Sequence, residues 1–409
     1  MLCEGVKISY VLLLWTSTSV VSGTPVLNPY SCPCATIDLC KVVTIPPRRE
    51  VFGFGGSQTG AWWKWYDWEQ VTAVGFLDEN TRDPEDLMCH AHSKGARVFL
   101  KADVPEISSW GNATARRVWI ESHVDRALRT HADATNFDFE GPITARSREA
   151  ALYTLLVRET AEEFRRSIPG FQITVDVAWS PSGIDGRWFD YAGLAQAADL
   201  LFVMAYDMQS QIWGRCIAQA NSPLEMVNYG LQQYLALGIP AEKIVLGVPW
   251  YGYTYRCKGE HVAPDAEFCE LEAVPFRNVS CSDAAGGEIA LSMIMSGPWT
   301  NATTPRRWDP ILQSPHFNYY GPDGKLHQLW YDDAASLSLK YRLAKDLGLR
   351  GVGPWTFDHV FPDSEGQSGH LQQDEVRAMW DAFKYFTGRG GSYAIVNPEN
   401  LGSPLLHQE

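Results

Sequence analysis

The stretch Asp133–Glu140 reads DATNFDFE, and the fold of this 409-residue chain can be worked out from it. Its residues alternate: the aromatic side chains share one parity, and Asn136, Asp138 and Glu140 share the other. Because successive side chains of a β-strand point to opposite faces, an extended strand here places an amide and two acids in a row on one face. The phenylalanines then lie on the other face, where they can pack under helices.

Two carboxyl groups that lie two residues apart on one strand face interact electrostatically. Ionising both is unfavourable, so the pKa of one of them rises and that group can hold a proton near neutral pH. A protonated acid beside a charged or hydrogen-bonded carboxylate is typical of glycoside hydrolases. A solvated or salt-bridged edge strand is the alternative interpretation, because structural ion-pair networks also perturb acids.

Strand-like and helical runs alternate through most of the chain. The eight predicted strands span residues 51–54, 71–76, 96–102, 133–140, 172–179, 200–207, 244–250 and 351–357. Helices are predicted at residues 83–95, 115–131, 148–167 and 337–349. Eight strands separated by helices favour a closed parallel TIM (β/α)8 barrel over an open sheet. Catalytic groups of such barrels lie at the C-terminal ends of the strands, where this pattern places Glu140, Asp207 and Trp355.

Residues from about 256 to 335 do not fit this repeat. They contain three cysteines, two glycosylation sequons and many Gly, Pro and Asn residues. We interpret them as an insertion between the seventh strand and the last helix–strand unit, with a short strand at Leu326–Tyr331. The tail at 388–409 is Gly-rich and then polar, without periodicity, so we expect it to be disordered. The barrel is therefore predicted to occupy residues 24–387.

The N-terminus has the pattern of a signal peptide, predicted at residues 1–23. Lys7 precedes an apolar run from Ile8 to Val21, and small residues that suit cleavage follow. The run is too short and too interrupted to predict a membrane span, and no later stretch is long and apolar enough to form one. An uncleaved anchor is the alternative interpretation. We expect a protein of the secretory route that has no membrane span.

Of the nine cysteines, eight follow this leader, an even number that is expected of disulfides in an oxidising compartment. Their spacing leaves the connectivity open. A zinc site at Cys32, Cys34 and Cys40 is the competing interpretation, and it is disfavoured because no second Cys/His pair follows at ligand spacing. We expect neither a metal ion nor a cofactor.

The formal net charge is −14, and no basic stripe is present that could meet phosphates, so a nucleic-acid partner is disfavoured. This acidic balance fits a protein that works in an acidic compartment. Sixteen tryptophans could stack on sugar rings, although tryptophan is equally common in protein cores. Sequons for N-glycosylation occur at Asn112, Asn278 and Asn301.

The stretch Asp133–Glu140 also resembles the signature strand of glycoside hydrolase family 18, Asp-Gly-x-Asp/Asn-x-Asp-x-Glu. Ala134 stands where that family usually has glycine, which indicates that the turn into the strand needs no positive φ. The resemblance covers most of the mature chain, in order. Further segments that resemble the family are Met204–Asp207, Lys243–Gly252, Tyr331–Asp333 and Gly351–Trp355.

The resemblance implies a substrate-assisted mechanism, in which the carbonyl oxygen of the substrate's own 2-acetamido group is the nucleophile. It implies that Glu140 acts as general acid and then as base, and that Asp138 holds the acetamido N–H. Tyr206 would donate its hydroxyl to the acetamido oxygen, and Asn136 would orient Asp138 by hydrogen bonding. The side chains expected to bind sugar are Asp207, Trp355, Trp250 and Gln209, with Trp355 as the floor under the ring. Plain core packing is the alternative for several of these groups.

Three functions are compatible with this sequence. The first is an exo-acting hydrolase that cleaves the GlcNAc-β-1,4-GlcNAc (chitobiose) bond from the reducing end of oligosaccharides, in lysosomal breakdown of N-linked glycan cores and chitin oligomers. The second is a secreted endo-chitinase, which is disfavoured because no second Cys-rich module is present. The third is a non-catalytic chitin-binding lectin, which is disfavoured because Glu140 is retained. We expect a monomer whose partner is a GlcNAc-containing oligosaccharide.

Overall fold

Eight parallel strands close into a barrel, which confirms the predicted fold. The computed structural model describes residues 28–56, 61–76, 83–212, 214–360 and 370–388. The predicted signal peptide and almost all of the predicted tail lie outside the described residues. Numbered along the chain, the strands are β1 (Glu50–Gly55), β2 (Ala73–Phe76), β3 (Arg97–Ala102), β4 (Ala134–Phe137), β5 (Gln172–Ala178), β6 (Leu200–Met204), β7 (Ile244–Pro249), β8 (Tyr251–Arg256), β9 (Gly286–Ala290), β10 (Arg307–Asp309), β11 (Ser314–Tyr320), β12 (Leu326–Tyr331) and β13 (Gly351–Trp355). The barrel has the order β1-β13-β7-β6-β5-β4-β3-β2, and the last strand closes on the first.

Helices surround the barrel. They are α1 (Pro84–Ser93), α2 (Ala113–Thr130), α3 (Arg148–Ser167), α4 (Tyr191–Ala197), α5 (Leu224–Ala236), α6 (Leu291–Ser296), α7 (Ala334–Asp346), α8 (His370–Ala382) and α9 (Lys384–Thr387). Helix α3 illustrates how the sequence forms them: Ser147 caps its first turn by accepting a hydrogen bond from the Ala150 amide. Its buried side chains recur at the three- and four-residue spacing of an amphipathic helix. No helix within the described ranges is long and apolar enough to cross a membrane.

The alternation read in Asp133–Glu140 is present in the structure. The rings of Phe137 and Phe139 lie outside the barrel, with centroids 6.4 and 5.5 Å from that of Tyr153 on α3. Asn136 points inward and bonds to residues of β5. The strand itself is shorter than expected: it ends at Phe137, so Asp138 and Glu140 lie beyond the ladder, at the mouth of the barrel.

The barrel interior is filled by aromatic side chains. The ring of Phe52 lies 4.4 Å from that of Phe99 and 5.3 Å from that of Phe202, in edge-to-face contacts. Phe54 packs on Phe202 and, at 5.3 Å, on Trp355 above it. Such layers leave no pore, so a substrate can enter only at the C-terminal mouth.

Between β7 and α7 the chain forms a second sheet. It is antiparallel, has five strands in the order β10-β11-β12-β8-β9, and spans residues 251–331. Because β8 begins only two residues after β7 ends, this sheet starts earlier than the sequence predicted. It stands beside the barrel mouth, since Tyr251 of β8 contacts Asp207 at the end of β6.

The described cysteines form four disulfides: Cys32–Cys40, Cys34–Cys89, Cys216–Cys281 and Cys257–Cys269. Three of the sulfurs near the N-terminus lie within 4.8 Å of one another, as a metal site would require. Each of them is bonded to another sulfur, however, so no thiolate is left there to bind zinc. The structure therefore supports the disulfide interpretation of this cluster.

Candidate active site

Inward-facing side chains of the adjacent strands β4 and β5 form hydrogen bonds with one another under the barrel mouth. Asn136 lies opposite Thr174 in the ladder, and its Oδ1 accepts a 2.5 Å hydrogen bond from the Thr174 hydroxyl. Asn136 Nδ2 donates to Asp176 Oδ2 at 2.7 Å. These bonds run to β5, whereas the sequence predicted a bond to Asp138. Asn136 therefore fixes the neighbouring acid, Asp176, and not Asp138 directly.

Asp176 is a buried carboxylic acid that the sequence analysis missed. Its side chain is 3% exposed, and within the described part of the chain Oδ1 has no hydrogen-bond partner. Burial raises the pKa of Asp176 well above its usual range, and the negative charge of Asp138 raises it further, although the bond from Asn136 opposes the shift. Its burial and the charge of Asp138 therefore favour the neutral form of Asp176. An acid with the inward parity of a buried strand was the signal that could have identified it.

Asp138 follows Phe137 at the end of β4 and has a cationic neighbour. The Lys101 ammonium nitrogen lies 3.5 Å from Asp138 Oδ2, and the Asp138 side chain is 17% exposed. Lys101 stands opposite Asn136 in the ladder between β3 and β4 and shares the inward parity of Phe99. Sequence reasoning missed Lys101 as well, although a lysine inside the apolar strand β3 is unusual enough to note.

Glu140 lies at the rim of the mouth, with 55% of its side chain exposed. Its Oε2 accepts a 2.7 Å hydrogen bond from Arg187 Nη1. Desolvation by the surrounding walls raises the pKa of Glu140 above its usual value, and the charge of Asp138 adds to this rise. The ion pair with Arg187 partly opposes it. The result is an acid that retains a proton at higher pH than an ordinary glutamate does.

Tyr206 and Asp207 follow β6. Tyr206 is 7% exposed, and burial together with the charges of nearby acids, Asp176 first among them, raises the pKa of its hydroxyl well above 10.0. Tyr206 is therefore a permanent hydrogen-bond donor. Asp207 has a left-handed backbone (φ 51°), and its amide donates to Asn221 Oδ1 at 2.7 Å. Its own Oδ1 accepts a 2.6 Å bond from the Tyr251 hydroxyl.

Two further acids interact with Asp207: Asp283 lies just before β9, and Glu288 lies on that strand. Burial raises the pKa of Asp283 and that of Glu288 to about 7, and the charge of Asp207 contributes to both shifts. The backbone amide of Asp283 donates to the Gln209 carbonyl at 3.0 Å, which ties the sheet to the loop after β6. The mouth of the barrel is thus rich in carboxyl groups with raised pKa values, as expected where a proton is exchanged with a substrate.

Residues 56–359 match the sequence profile of the glycosyl hydrolases family 18. The chain belongs to glycosyl hydrolase family 18. It is 42% identical over 358 residues to the di-N-acetylchitobiase of Mus musculus, covering 88% of this chain and 94% of that protein. To the di-N-acetylchitobiase of Homo sapiens it is 40% identical over 356 residues, covering 86% and 88%. Among solved structures it is similar in fold to the class V chitinase from Nicotiana tobaccum, with a TM-score of 0.64, 17% identity and coverage of 82% and 99%.

These findings confirm the predicted family. Within that family, parts of the sequence resemble di-N-acetylchitobiase in particular, and the identities above confirm that narrower resemblance. Sequence runs such as Cys32–Cys34, Val175–Pro181 and Ser210–Trp213 carry that narrower resemblance. The chain is accordingly a glycosidase of family 18. Four of the predicted site residues, Asn136, Asp138, Glu140 and Tyr206, come from β4 and β6 and the segments that follow them, on either side of β5.

The predicted sugar-binding residues are not all brought together. Trp355 ends β13 and is half-buried over Phe54, so part of its ring faces the mouth. Trp250 is wrong as a substrate-binding residue, because its side chain is 0% exposed. It packs behind the barrel wall, with ring centroids 5.0 Å from Trp380 and 5.6 Å from Phe383. Its parity with the outward residues of β7 was the overlooked signal.

The remaining predictions concern the periphery of the site. Gln209 is 8% exposed in the loop after β6, and its role in binding stays a prediction. The three sequon asparagines, Asn112, Asn278 and Asn301, are exposed to solvent. Asn112 also caps α2, because its side chain accepts hydrogen bonds from the amides of Thr114 and Ala115. Glycosylation at the three sites remains a prediction that their exposure permits.

Proposed function

We propose that this glycosidase cleaves the GlcNAc-β-1,4-GlcNAc bond from the reducing end of oligosaccharides, by substrate-assisted retaining catalysis. The observation that carries the proposal is the pair Asp138 and Glu140 at one strand end, with a raised pKa on Glu140 and the Tyr206 hydroxyl among the same acidic charges. The substrate class is supported by the name of the curated relatives, di-N-acetylchitobiase, at 40 to 42% identity over most of the chain.

In the first step Glu140 transfers its proton to the glycosidic oxygen while the bond between that oxygen and C1 breaks. Desolvation and the charge of Asp138 raise the pKa of this carboxyl, which favours its protonated form. General acid catalysis of this kind typically accelerates a reaction by about 10²- to 10⁴-fold. The leaving sugar departs with the proton, and Glu140 becomes a carboxylate.

The carbonyl oxygen of the substrate's 2-acetamido group forms the new bond to C1, so no covalent bond to the protein is needed. The product of this step is an oxazolinium ion with a positive charge. Asp138 accepts the acetamido N–H and balances that charge, while Tyr206 donates its hydroxyl to the acetamido oxygen. Water then attacks C1 and gives a proton to the Glu140 carboxylate, while the bond between C1 and the acetamido oxygen breaks. This step regenerates the acetamido group and the acid, and the anomeric configuration is retained.

The remaining groups of the site support Glu140, Asp138 and Tyr206 or bind the sugar. Asn136 fixes the Asp176 carboxyl by a 2.7 Å hydrogen bond, next to the end of the strand that carries Asp138. Trp355 forms the floor under the sugar ring. Asp207 accepts a hydrogen bond from a sugar hydroxyl, and the bond from Tyr251 fixes its carboxylate for this role. An aromatic face below and directional acceptors beside the ring are the usual means of binding a sugar.

We place this activity in the lysosome, reached through the secretory pathway. Four disulfides suit an oxidising secretory route, and the exposed sequons are accessible to glycosylation there. The acids at the mouth have pKa values raised by burial, which suits work in an acidic lumen. In that compartment the substrates would be N-linked glycan cores and chitin oligomers.

Product analysis on chitin oligomers labelled at the reducing end tests this proposal. Exo-cleavage at acid pH releases labelled GlcNAc as the first and dominant small product. Internal labelled fragments would instead identify an endo-chitinase. Binding of the oligomer without cleavage would identify a sugar-binding protein that has kept its glutamate.

A further inference from the structure

Arg187 forms an ion pair with Glu140, the proposed catalytic acid, and the substrate-assisted scheme gives Arg187 no role. Its Nη1 lies 2.7 Å from Glu140 Oε2, and its Nη2 lies 2.9 Å from Asp185 Oδ2. The guanidinium group therefore bridges the acid to the loop that follows β5. Its side chain is only 10% exposed, although that of Glu140 is 55% exposed.

The surroundings of Arg187 hold it in place. Its backbone pairs with Ile143 in a bridge between the loops after β4 and β5. Its carbonyl accepts a 2.6 Å hydrogen bond from the Tyr191 hydroxyl, and Asp185 is itself fixed by a 3.0 Å bond from the Ser210 hydroxyl. The guanidinium group is held between the carboxylates of Glu140 and Asp185, and the backbone of Arg187 is anchored on both sides. The planar shape of the guanidinium group suits two such contacts at once, so the side chain has few alternative positions.

This contact presents a chemical difficulty. A guanidinium ion stabilises a carboxylate, whereas the first step of the reaction requires Glu140 in its protonated form. The geometry resolves the difficulty, because Arg187 contacts Oε2 alone. Among the described residues no hydrogen-bond donor contacts Oε1, so that oxygen is free to carry the proton.

We propose that Arg187 is a positioning residue for Glu140: by binding Oε2 it restricts the catalytic proton to Oε1, and it stabilises the carboxylate that remains after the proton has left. This role rests on the proposed function, since it presupposes that Glu140 is the acid. Arg187 thus supplies a positive charge that acts on Glu140 and not on the substrate. It also sets the pH range of the enzyme, because the same ion pair competes with protonation.

Other charged groups face Glu140 from every element around it. Asp138 on its own segment and Asp207 after β6 favour its protonation, as the direction of their effects on the Glu140 pKa indicates. Asp176 on β5 interacts electrostatically with both Asp138 and Glu140, and Lys101 on β3 pairs with Asp138. Arg187 is the group in this set that lowers the pKa of Glu140, both by its charge and by its hydrogen bond.

The test is the pH profile of kcat/KM and of kcat for Arg187→Met and Arg187→Lys. Without the cation, Glu140 stays protonated to higher pH, so the alkaline limb of the Arg187→Met profile should move up by about one pH unit. Its maximal kcat should fall roughly tenfold, because the carboxylate formed in the first step loses its partner. Arg187→Lys should keep the alkaline limb near that of the wild type. A matched control is Arg166→Met on α3, whose 75%-exposed side chain pairs with Glu163 away from the mouth.

The pH profile of Asp185→Asn is a second test of the proposal, and this variant keeps Arg187. It frees the guanidinium for Glu140 and removes a negative charge, so the alkaline limb should move to lower pH, opposite to the change in Arg187→Met. An unmoved alkaline limb in folded Arg187→Met, whatever its rate, would overturn the role of Arg187. If Arg187→Met does not fold, an unmoved limb in Asp185→Asn has the same force. Hydrolysis by the wild type and inactivity of Glu140→Gln are measured alongside, so that failure of the proposed function is recognised separately.

Discussion

The backbone amide of Trp250 donates a 3.0 Å hydrogen bond to the carbonyl of Trp355. The two residues are therefore neighbours in the barrel wall, yet their rings lie on opposite sides of it. Trp355 is half-buried above Phe54 at the mouth, while Trp250 is fully buried against Trp380 behind the wall. The pair offers a matched comparison between a tryptophan that can contact substrate and one that only supports the fold.

Trp355→Ala should raise KM for a GlcNAc oligosaccharide by roughly tenfold, which corresponds to about 1.4 kcal/mol of lost binding. The reason is the loss of the apolar face under the sugar ring. The measurement is a comparison of KM and kcat for the variant and the wild type, at a pH where both are stable. An unchanged KM would remove Trp355 from the binding site.

Trp250→Ala should leave KM of the folded enzyme unchanged and should lower the free energy of unfolding by about 3–5 kcal/mol, since it empties a large buried volume. Urea titration followed by tryptophan fluorescence measures the loss, with Trp355→Ala as the comparison. A KM effect in Trp250→Ala as large as that in Trp355→Ala would contradict the assignment of the two rings.

Lys101→Met should lower kcat by roughly tenfold, because Asp138 loses its cationic neighbour at 3.5 Å and its negative charge is then less well placed against the acetamido group. Lys101→Arg keeps a cation in the same position and should recover most of the rate. Steady-state kinetics of both variants, together with a thermal melt, separate this effect from a loss of folding. Equal losses in the two variants would argue that only the shape of lysine matters.

The buried pair His92 and Asp133 should make the fold more stable in acid. His92 Nε2 lies 2.8 Å from Asp133 Oδ2, and Nδ1 lies 2.7 Å from the Leu39 carbonyl. Burial opposes protonation of His92, but the hydrogen bond and charge of Asp133 outweigh it, so the pKa of His92 is raised above 6.5. A raised folded-state pKa gives stability that is fully present below the unfolded value and is lost as pH rises through the folded value.

The expected result is that His92→Gln loses more unfolding free energy below about pH 6.5 than well above it. Urea titrations of the wild type and the variant across this range measure the difference. Asp133 also accepts bonds from the Val43 and Val98 amides, which would remain in the variant. A stability difference that does not change with pH would show that the pair contributes only through packing.

Removing the Cys216–Cys281 disulfide should cost about 4 kcal/mol, and removing Cys32–Cys40 clearly less, because the first closes 65 residues and the second only 8. The longer bridge also joins the loop after β6 to the second sheet, next to the bond between the amide of Asp283 and the carbonyl of Gln209. The double Cys→Ala variants are compared by urea titration and by KM. Similar stability losses in both would contradict the loop-closure argument.

Much of the fold follows from local patterns in the sequence. The alternation in Asp133–Glu140 correctly placed Asn136 inside the barrel and Phe137 outside it, since parity is a property of the strand alone. The same rule, applied to β7, would have placed Trp250 outside with Val248. Trp250 was expected to bind sugar from the family resemblance, and the parity of β7 was not applied to it.

The partners of the acids could not be read in the same way. Lys101, Asp176 and Arg187 come from three different strands or loops, and only closure of the barrel brings them to Asp138 and Glu140. The disulfide connectivity depends likewise on tertiary contacts, as spacing alone allows many pairings. Local pattern therefore predicts the strands and the acids, and the closed fold determines what surrounds them.

The most direct test of the account is the release of GlcNAc from di-N-acetylchitobiose at acid pH by the wild type and by Glu140→Gln, with binding of the disaccharide measured for both. We expect hydrolysis by the wild type, binding by both proteins, and a rate for Glu140→Gln that is lower by about 10²- to 10⁴-fold. Equal rates in the two proteins, or binding without hydrolysis by either, would contradict the assignment of Glu140 as the catalytic acid.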